Sequence, residues 1–410
     1  MHRSEKYHGQ SRQAETIEPA SGGRDSGIVA PPQKRERLLP LDALRGVIII
    51  LMALDHTSYY LARVHPEEFW GSPLPQYSNA LAFLTRWLTH LAAPGFFFLM
   101  GTSMVLFAES RRHMGWPERK IVRYFAVRGL LLIVIQALVV NPAWLIVSPN
   151  LVTRLPGGGG EEFWLYHAGV LYGLGATMIA GAPLLKFGPA ALTALSFSAI
   201  LATQVLIPPP EKVAVLYSPL IRLLLIPGQT RKLQVYYPLI PWLGIVIPGI
   251  IFGRELLRDR KRAYGRALIF GLVFIILFVI VRCLNRGGDF HPADTSNWMA
   301  FLNVTKYPPS LVFILLTLGL NLILLFLLAQ IGDGLAKWGA WLLTFGRTAL
   351  FFYIVHLYLY GLMGFFIPGD ASLPMVYPWC LAGLLMLYPV CRWYGNFKQK
   401  TSPTSVWRLF

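Results

Sequence analysis

Residues 39–63 read LPLDALRGVIIILMALDHTSYYLAR and form the first long apolar segment of the chain. A helix needs about 20 mostly apolar residues to cross the roughly 30 Å hydrocarbon layer of a membrane. Similar segments follow at 81–108, 122–147, 163–186, 189–206, 236–256, 267–281, 310–329, 341–366 and 376–393. The pattern predicts an all-α fold, a polytopic membrane bundle of about ten transmembrane helices.

The charge distribution supports a membrane protein. The 410 residues are 55% hydrophobic and 14% charged, whereas soluble proteins average about 25% charged residues. A net charge of +17 would by itself suggest nucleic acid as a partner, but the positions of the basic residues argue against it. They concentrate between alternate apolar segments, for example at 111–128 and 254–266, as the positive-inside rule expects. We therefore predict contact with a lipid bilayer, no nucleic acid, and two cytoplasmic termini.

The ends of the chain differ in composition from the rest. Residues 1–37 are rich in Ser, Gly, Pro and charge, and they predict a disordered cytoplasmic tail. Residues 38–395 form one predicted transmembrane domain, and 396–410 a second cytoplasmic tail. Cys283, Cys380 and Cys391 are isolated, so neither a disulfide framework nor a metal site is expected.

Ionisable side chains inside apolar segments are candidates for function, because charge is costly to bury in hydrocarbon. Arg45 and His56 are eleven residues apart, so they share one helix face about 16 Å apart along the axis. Asp42 lies within pairing reach of Arg45. Asp55 points about 100° away from His56 and is not expected to orient it. The alternative is an interfacial Asp42–Arg45 pair and a core histidine with only a structural role.

The second and ninth segments add further candidates. Arg86 and His90 are at i and i+4 and share a face. The predicted depth of His90 matches that of His56, so the two histidines could border one cavity, although Arg86 could equally anchor the helix at the membrane interface. His356 is a candidate pocket wall, with a structural role as the alternative.

Several short motifs occur in order along the chain. They are RLLPLDALRG at 37–46, LMALDH at 51–56, TRWLTHLAAP at 85–94, FLMGT at 98–102, YPLIPWLG at 237–244, KYPPSL at 306–311 and GRTALFFY at 346–353. Together they resemble the heparan-alpha-glucosaminide N-acetyltransferase catalytic-domain family, and most closely its bacterial branch. Arg45 and His56 are also similar in spacing to the Arg-x10-His motif of the wider transmembrane acyltransferase superfamily.

The resemblance implies an acyltransferase of the bacterial cytoplasmic membrane. It would move an acetyl group from cytosolic acetyl-CoA, its co-substrate, to an extracytoplasmic amino sugar, glycan or other polar acceptor. The superfamily motif implies a cytoplasmic acyl-CoA donor and an essential histidine. Oligomeric state does not follow from the sequence.

Combining the resemblance with the residue chemistry assigns the candidate site. Histidine titrates near neutral pH and suits a general base or an acyl carrier, whereas arginine suits CoA phosphates. The assignments are His56 and His90 as catalytic residues, Arg45 and Asp42 as donor-binding residues, and Asp55, Arg86 and His356 as pocket residues.

A multi-pass transporter that uses the same intramembrane charges is the alternative function. Such proteins often carry matching Gly- or Pro-broken segments in two halves, and the sequence does not display this repeat.

Overall fold

The computed structural model describes residues 38–146, 166–208, 217–230, 232–367, 372–402 and 405. The predicted tail at 1–37 lies outside these residues, as does most of the chain beyond 402. The division into two tails and one domain therefore stays a prediction.

Helices dominate the described residues. In the first half they are α1 Leu39–Ala62, α2 Ala80–Thr89, α3 Ala92–Arg112, α4 Glu118–Ile135, α5 Asn141–Leu145, α6 Val170–Gly181, α7 Pro189–Leu206 and α8 Pro219–Leu224. In the second half they are α9 Leu239–Arg258, α10 Arg260–Leu284, α11 Trp298–Leu302, α12 Leu311–Ile331, α13 Gly334–Trp338, α14 Ala340–Arg347, α15 Ala349–Phe366 and α16 Leu373–Lys400. A π-helical turn at Gln136–Val140 joins α4 to α5, and a 3-10 turn at Pro183–Lys186 follows α6.

The membrane bundle predicted from the apolar segments is confirmed. Within the described part of the chain, eight helical segments are long and apolar enough to cross a membrane. The helix α1 has comparable length but carries Asp42, Arg45 and Asp55, and the apolar segment Val170–Lys186 is shorter. All ten predicted segments therefore have a helical counterpart at the expected place.

The helix α1 lies at the centre of the bundle, where it contacts α2, α3, α12, α14, α15 and α16. Beside it, α3 packs closely on α9. The two helices are so close that a side chain at Gly249 would collide with the backbone carbonyl of Phe98. Small residues at such contacts let transmembrane helices approach closely.

Three short strands form a small sheet in the order β1-β3-β2: β1 Tyr166–Ala168, β2 Gly228–Gln229 and β3 Leu233–Val235. The strands β1 and β3 are parallel, with Tyr166 opposite Leu233, whereas β2 and β3 are antiparallel. The sheet brings His167 and Gly169 to the wall of a cavity that is described below.

Candidate active site

The second membrane segment consists of two helices, because the chain breaks at His90 and Leu91 between α2 and α3. Pro94 has no N–H and cannot donate to the carbonyl of His90, four residues earlier. Asn321 on α12 supports the break by donating Nδ2 to the Leu91 carbonyl at 3.1 Å. Ahead of this break, α2 presents Arg86 to α1 and to the loop that follows α1.

Arg86 bridges two buried carboxylates. Its Nη1 donates to Asp55 Oδ1 at 2.6 Å, and its Nε and Nη2 donate to the two oxygens of Glu68 at 2.9 and 2.7 Å. Thr89 Oγ1 adds a bond of 3.1 Å to Asp55 Oδ1. Arg86 is only 5% exposed and Glu68 is fully buried. The planar guanidinium therefore fixes both the end of α1 and the loop at 63–79.

Glu68 was missed by the sequence reasoning, because it lies in a loop without periodicity. Burial alone would raise the pKa of its carboxyl, but the adjacent Arg86 guanidinium holds that pKa well below its usual range. Its backbone carbonyl accepts the N–H groups of Lys306 and Tyr307 at 2.9 and 3.0 Å. The loop at 63–79 and the segment at 303–310 are thus joined behind the site.

His56 is held by His356, which lies 300 residues later in the chain. The rings stack with 4.9 Å between centroids, and 2.6 Å separates His56 Nδ1 from His356 Nε2. His356 Nδ1 lies 3.0 Å from the carbonyl of Phe352 and must donate to it, because a carbonyl only accepts. His356 Nε2 then accepts from His56 Nδ1–H. In the neutral pair, His56 Nε2 keeps its lone pair and has the form of a base.

A π-helical turn supports this arrangement from the opposite side. The turn Gln136–Val140 lies directly before α5, and such turns recur at functional sites. Trp144 on α5 then packs edge-on against the His56 ring, with 4.9 Å between centroids. His56 is therefore clamped between Trp144 and His356, and Asp55 takes no part in orienting it.

His65, which the sequence reasoning did not select, pairs with Asp55. Its Nε2 lies 3.3 Å from Asp55 Oδ2, the carboxyl oxygen that does not contact Arg86. A carboxylate that already has a fixed partner can orient an imidazole. A histidine ten residues after Asp55, just past the end of α1, was the only signal in the sequence.

His56, His65 and Asp55 border one cavity of about 240 Å³, called here the His56 cavity, whereas His356, predicted as a pocket wall, does not line it. Its wall combines aromatic rings with ionisable groups. The ionisable residues other than tyrosine are Asp55, His56, His65, Glu67, His167 and Lys306. Such a mixture suits a small polar ligand that must be oriented by a few directed contacts.

A second cavity of about 320 Å³, called here the Arg45 cavity, lies along the other half of α1. Arg45 donates to Asp42 Oδ1 at 2.9 Å, to the Gly346 carbonyl at 3.3 Å and to Ser103 Oγ at 3.3 Å. A side chain at Gly346 would collide with the Asp42 carbonyl, so only glycine fits there. Three further cations line the Arg45 cavity: Arg128, Arg347 and Lys398.

Four residues line both cavities and form the partition between them: Met52, Phe96, Val170 and Tyr353. Met52 is one helical turn before His56 on α1. The partition is apolar except for the Tyr353 hydroxyl. One cavity therefore gathers cations and the other gathers histidines, with a thin apolar layer between them.

A family model described as "Heparan-alpha-glucosaminide N-acetyltransferase, catalytic" matches residues 37–283, more than half of the chain. The chain belongs to this family. It is a membrane acyltransferase by that membership, and the family generally depends on acetyl-CoA. No curated protein matches the chain.

The N-acetyltransferase family match ends before α15, which supplies His356 to the site. Among the predicted catalytic residues, His56 borders its cavity, whereas His90 is absent from the walls of the two cavities described. The His90 ring packs on Phe313, with Nε2 at 3.1 Å from Glu68 Oε2. His90 is therefore part of the ion-pair cluster of Arg86 and Glu68, and it does not line the cavity at His56.

The remaining predicted residues separate into two groups in this member of the N-acetyltransferase family. Asp42 and Arg45 pair with each other at the Arg45 cavity, and Asp42 also lies 3.3 Å from Arg347. Asp55, Arg86 and His356 hold the groups around His56. Arg45 lines the Arg45 cavity and Asp55 lines the His56 cavity. Asp42, Arg86 and His356 line neither of these two cavities, but each contacts a residue that does.

Proposed function

We propose that this protein transfers an acetyl group from acetyl-CoA in the Arg45 cavity to a polar acceptor in the His56 cavity. The observation that carries the proposal is the pair of chemically distinct cavities that meet at Met52, Phe96, Val170 and Tyr353. The acetylated end of the donor has to pass this partition, whereas its phosphates stay among the cations. Transfer across the membrane follows without movement of the whole donor.

The donor assignment rests on charge. CoA carries phosphate groups, and guanidinium groups bind phosphate with two parallel hydrogen bonds. The Arg45 cavity is lined by four cations, Arg45, Arg128, Arg347 and Lys398. Asp42 fixes Arg45 and Arg347 but neutralises part of their charge. A dianionic phosphate would complete this cluster.

The acetyl transfer is assigned to the histidines. The acceptor's amine or hydroxyl attacks the thioester carbonyl carbon, and its proton passes to an imidazole. The C–S bond then breaks, and the imidazolium gives the proton to the leaving sulfur, so that CoA is released as the thiol. His56, with its Nε2 lone pair and its place next to Met52, serves as general base or as acyl carrier. His65, held by Asp55, is a second group that can take up the acceptor's proton.

The acceptor we propose is an extracytoplasmic amino sugar, glycan or similar polar molecule. Aromatic rings and directed polar groups line the His56 cavity, and such walls suit small polar ligands. The positive-inside distribution of Lys and Arg supports a cytoplasmic Arg45 cavity and cytoplasmic termini, in a bacterial cytoplasmic membrane.

Vectorial transfer is the first expected result. Vesicles that contain the purified protein, loaded with glucosamine and supplied outside with radiolabelled acetyl-CoA, should accumulate labelled N-acetylglucosamine inside. Protein-free vesicles should not. Product found only on the donor side would contradict transfer across the membrane. Entry of intact labelled acetyl-CoA would instead indicate the transporter alternative.

Replacement of Arg45 tests the donor site. We expect acetyl-CoA binding to weaken about 10- to 100-fold in Arg45→Ala, because a charge-assisted hydrogen bond to phosphate is lost. Arg45→Lys should also bind more weakly, because an ammonium cannot form the two-point contact. The control is Arg258→Ala, which removes an exposed arginine outside both cavities. Equal affinity in wild type and Arg45→Ala, by equilibrium binding in detergent, would leave Arg45 with only its structural pair.

A further inference from the structure

Lys306 is a buried cation that the mechanism above does not use. It is 4% exposed, and it borders the His56 cavity together with His56 and His65. Within the described residues, its Nζ makes neither a hydrogen bond nor an ion pair. Its Nζ lies 5.0 Å from the centroid of the Tyr307 ring. A buried cation without a hydrogen-bonded partner is costly, so its retention at a cavity wall indicates a role.

The backbone around Lys306 is fixed. Every residue from 303 to 310 is buried. The N–H of Lys306 donates to the Glu68 carbonyl at 2.9 Å, and Asn303 Nδ2 donates to the Pro75 carbonyl at 2.9 Å. A side chain on such a segment is positioned before any ligand binds. Preorganisation of this kind is what electrostatic catalysis requires.

Lys306 keeps its charge at neutral pH. Burial, together with the positive charge of Arg86, lowers the pKa of Lys306 from 10.5 to about 8, while Asp55, Glu67 and Glu68 act in the opposite direction. Because this pKa still lies above 7, most of the lysine is protonated in the neutral range. In a site with little water, a cation interacts strongly with any negative charge that develops beside it.

We propose that the Lys306 ammonium stabilises the oxyanion that forms on the acetyl carbonyl during transfer. The inference rests on the proposed acetyl transfer. When the nucleophile's lone pair forms the new bond to the carbonyl carbon, the C=O π electrons move to oxygen. Lys306 donates a hydrogen bond to that oxygen without losing its proton. The electrons then return, the C=O bond re-forms and the C–S bond breaks. The role is the same whether the nucleophile is the acceptor or a histidine.

The test compares Lys306→Met and Lys306→Arg with wild type, using glucosamine and radiolabelled acetyl-CoA. Lys306→Met keeps the chain length but loses the charge, and we expect kcat to fall about 100-fold with the KM for glucosamine nearly unchanged. Lys337→Met is the control, because it removes a lysine of α13 that borders neither cavity. A kcat within threefold of wild type in a folded Lys306→Met protein would overturn the inference.

The pH profile of wild type gives a readout that does not depend on a variant's folding. We expect kcat at saturating glucosamine to decline as pH rises through about 8, because Lys306 loses its proton there. Lys306→Arg should retain charge and lack this decline, whereas titration of the acceptor affects both proteins equally. The other groups that act on this site are Asp55, Glu67, Glu68, Arg86, His56, His65 and His90.

The remaining outcomes are distinct. A flat wild-type profile up to pH 9 would contradict a charged Lys306 in the reaction. A rise in KM without a change in kcat for Lys306→Met would indicate that Lys306 binds an anionic group of the acceptor instead, and would also overturn the inference. If wild type transfers no acetyl group to any amino sugar, the proposed function itself fails, whatever the variants do.

Discussion

Substitution of His56 by alanine is expected to lower acetyl transfer by about 100-fold or more, the range for loss of a positioned base. The fold should survive, because within the described residues the ring packs against Trp144, Tyr353 and His356, in a helix with ample apolar contacts. Its loss leaves His356 Nε2 without a donor, a penalty of about 1–3 kcal/mol. The measurement is turnover of labelled acetyl-CoA with glucosamine, beside a melting curve.

The control for His56 is His291→Ala. That imidazole is also hydrogen-bonded, to Thr305 and to the Ser72 carbonyl at 2.9 Å each, but it lies outside both cavities. We expect His291→Ala to keep its turnover. Wild-type turnover in His56→Ala would show that the catalytic assignment is wrong. Activity that falls only in step with the melting temperature, in both variants, would point to a structural histidine.

Incubation with labelled acetyl-CoA and no acceptor separates the two roles of His56. If His56 carries the acetyl group, label should stay on wild type and on His65→Ala but not on His56→Ala. If His56 acts only as a base, none of the three proteins should retain label, and the transfer is direct.

Substitution of Arg86 by methionine should produce the largest loss of stability. It leaves Asp55 and Glu68 buried without their shared partner, and breaking a buried pair on one side costs about 3–5 kcal/mol. Arg86→Lys should recover only part of this, because one ammonium cannot reach both carboxylates in the bidentate geometry. Thermal unfolding in detergent is the measurement. The control Arg112→Ala breaks ion pairs to Glu109 and Glu118 that are partly exposed, and exposed pairs contribute about 0–1 kcal/mol.

The pH dependence of Arg86→Met has a definite sign. In wild type, Arg86 holds the pKa of Glu68 well below its usual range, so its stabilising effect is complete at pH 5 and is lost only in stronger acid. Without Arg86, burial raises the pKa of Glu68 and, of the two partners that lower it, only His90 remains. Protonation on acidification then relieves the buried charge. The melting-temperature gap between wild type and Arg86→Met should narrow from pH 8 to pH 5, and a gap that widens would contradict this account.

The membrane segments could be predicted because each is a local property of the sequence. An apolar stretch such as 310–329 predicts a helix from its own composition, and the structure has α12 there. The break at His90 could be predicted from Pro94, but the break at Thr348, between α14 and α15, has no proline to mark it. A single ninth helix was therefore predicted where the structure has two.

The site itself was predicted only in part, because its contacts are long-range. The face shared by Arg45 and His56 follows from helical spacing alone. The contact between His56 and His356 joins residues 300 positions apart. Sequence periodicity describes only neighbours within one helix or strand, so it could not predict this contact. Glu68, His65 and Lys306 lie in loops, where sequence spacing does not predict which side chains meet.

The partition of Met52, Phe96, Val170 and Tyr353 has a consequence for the cell's energy supply. A continuous wet path from one face of the membrane to the other would let protons run down the electrochemical gradient. These four side chains interrupt such a path with apolar groups, which hydrate poorly. An acetyl group is small and uncharged and can pass between them, whereas a hydrated ion would lose its water there. The proposed transfer would thus move an acyl unit across the membrane without opening a path for ions.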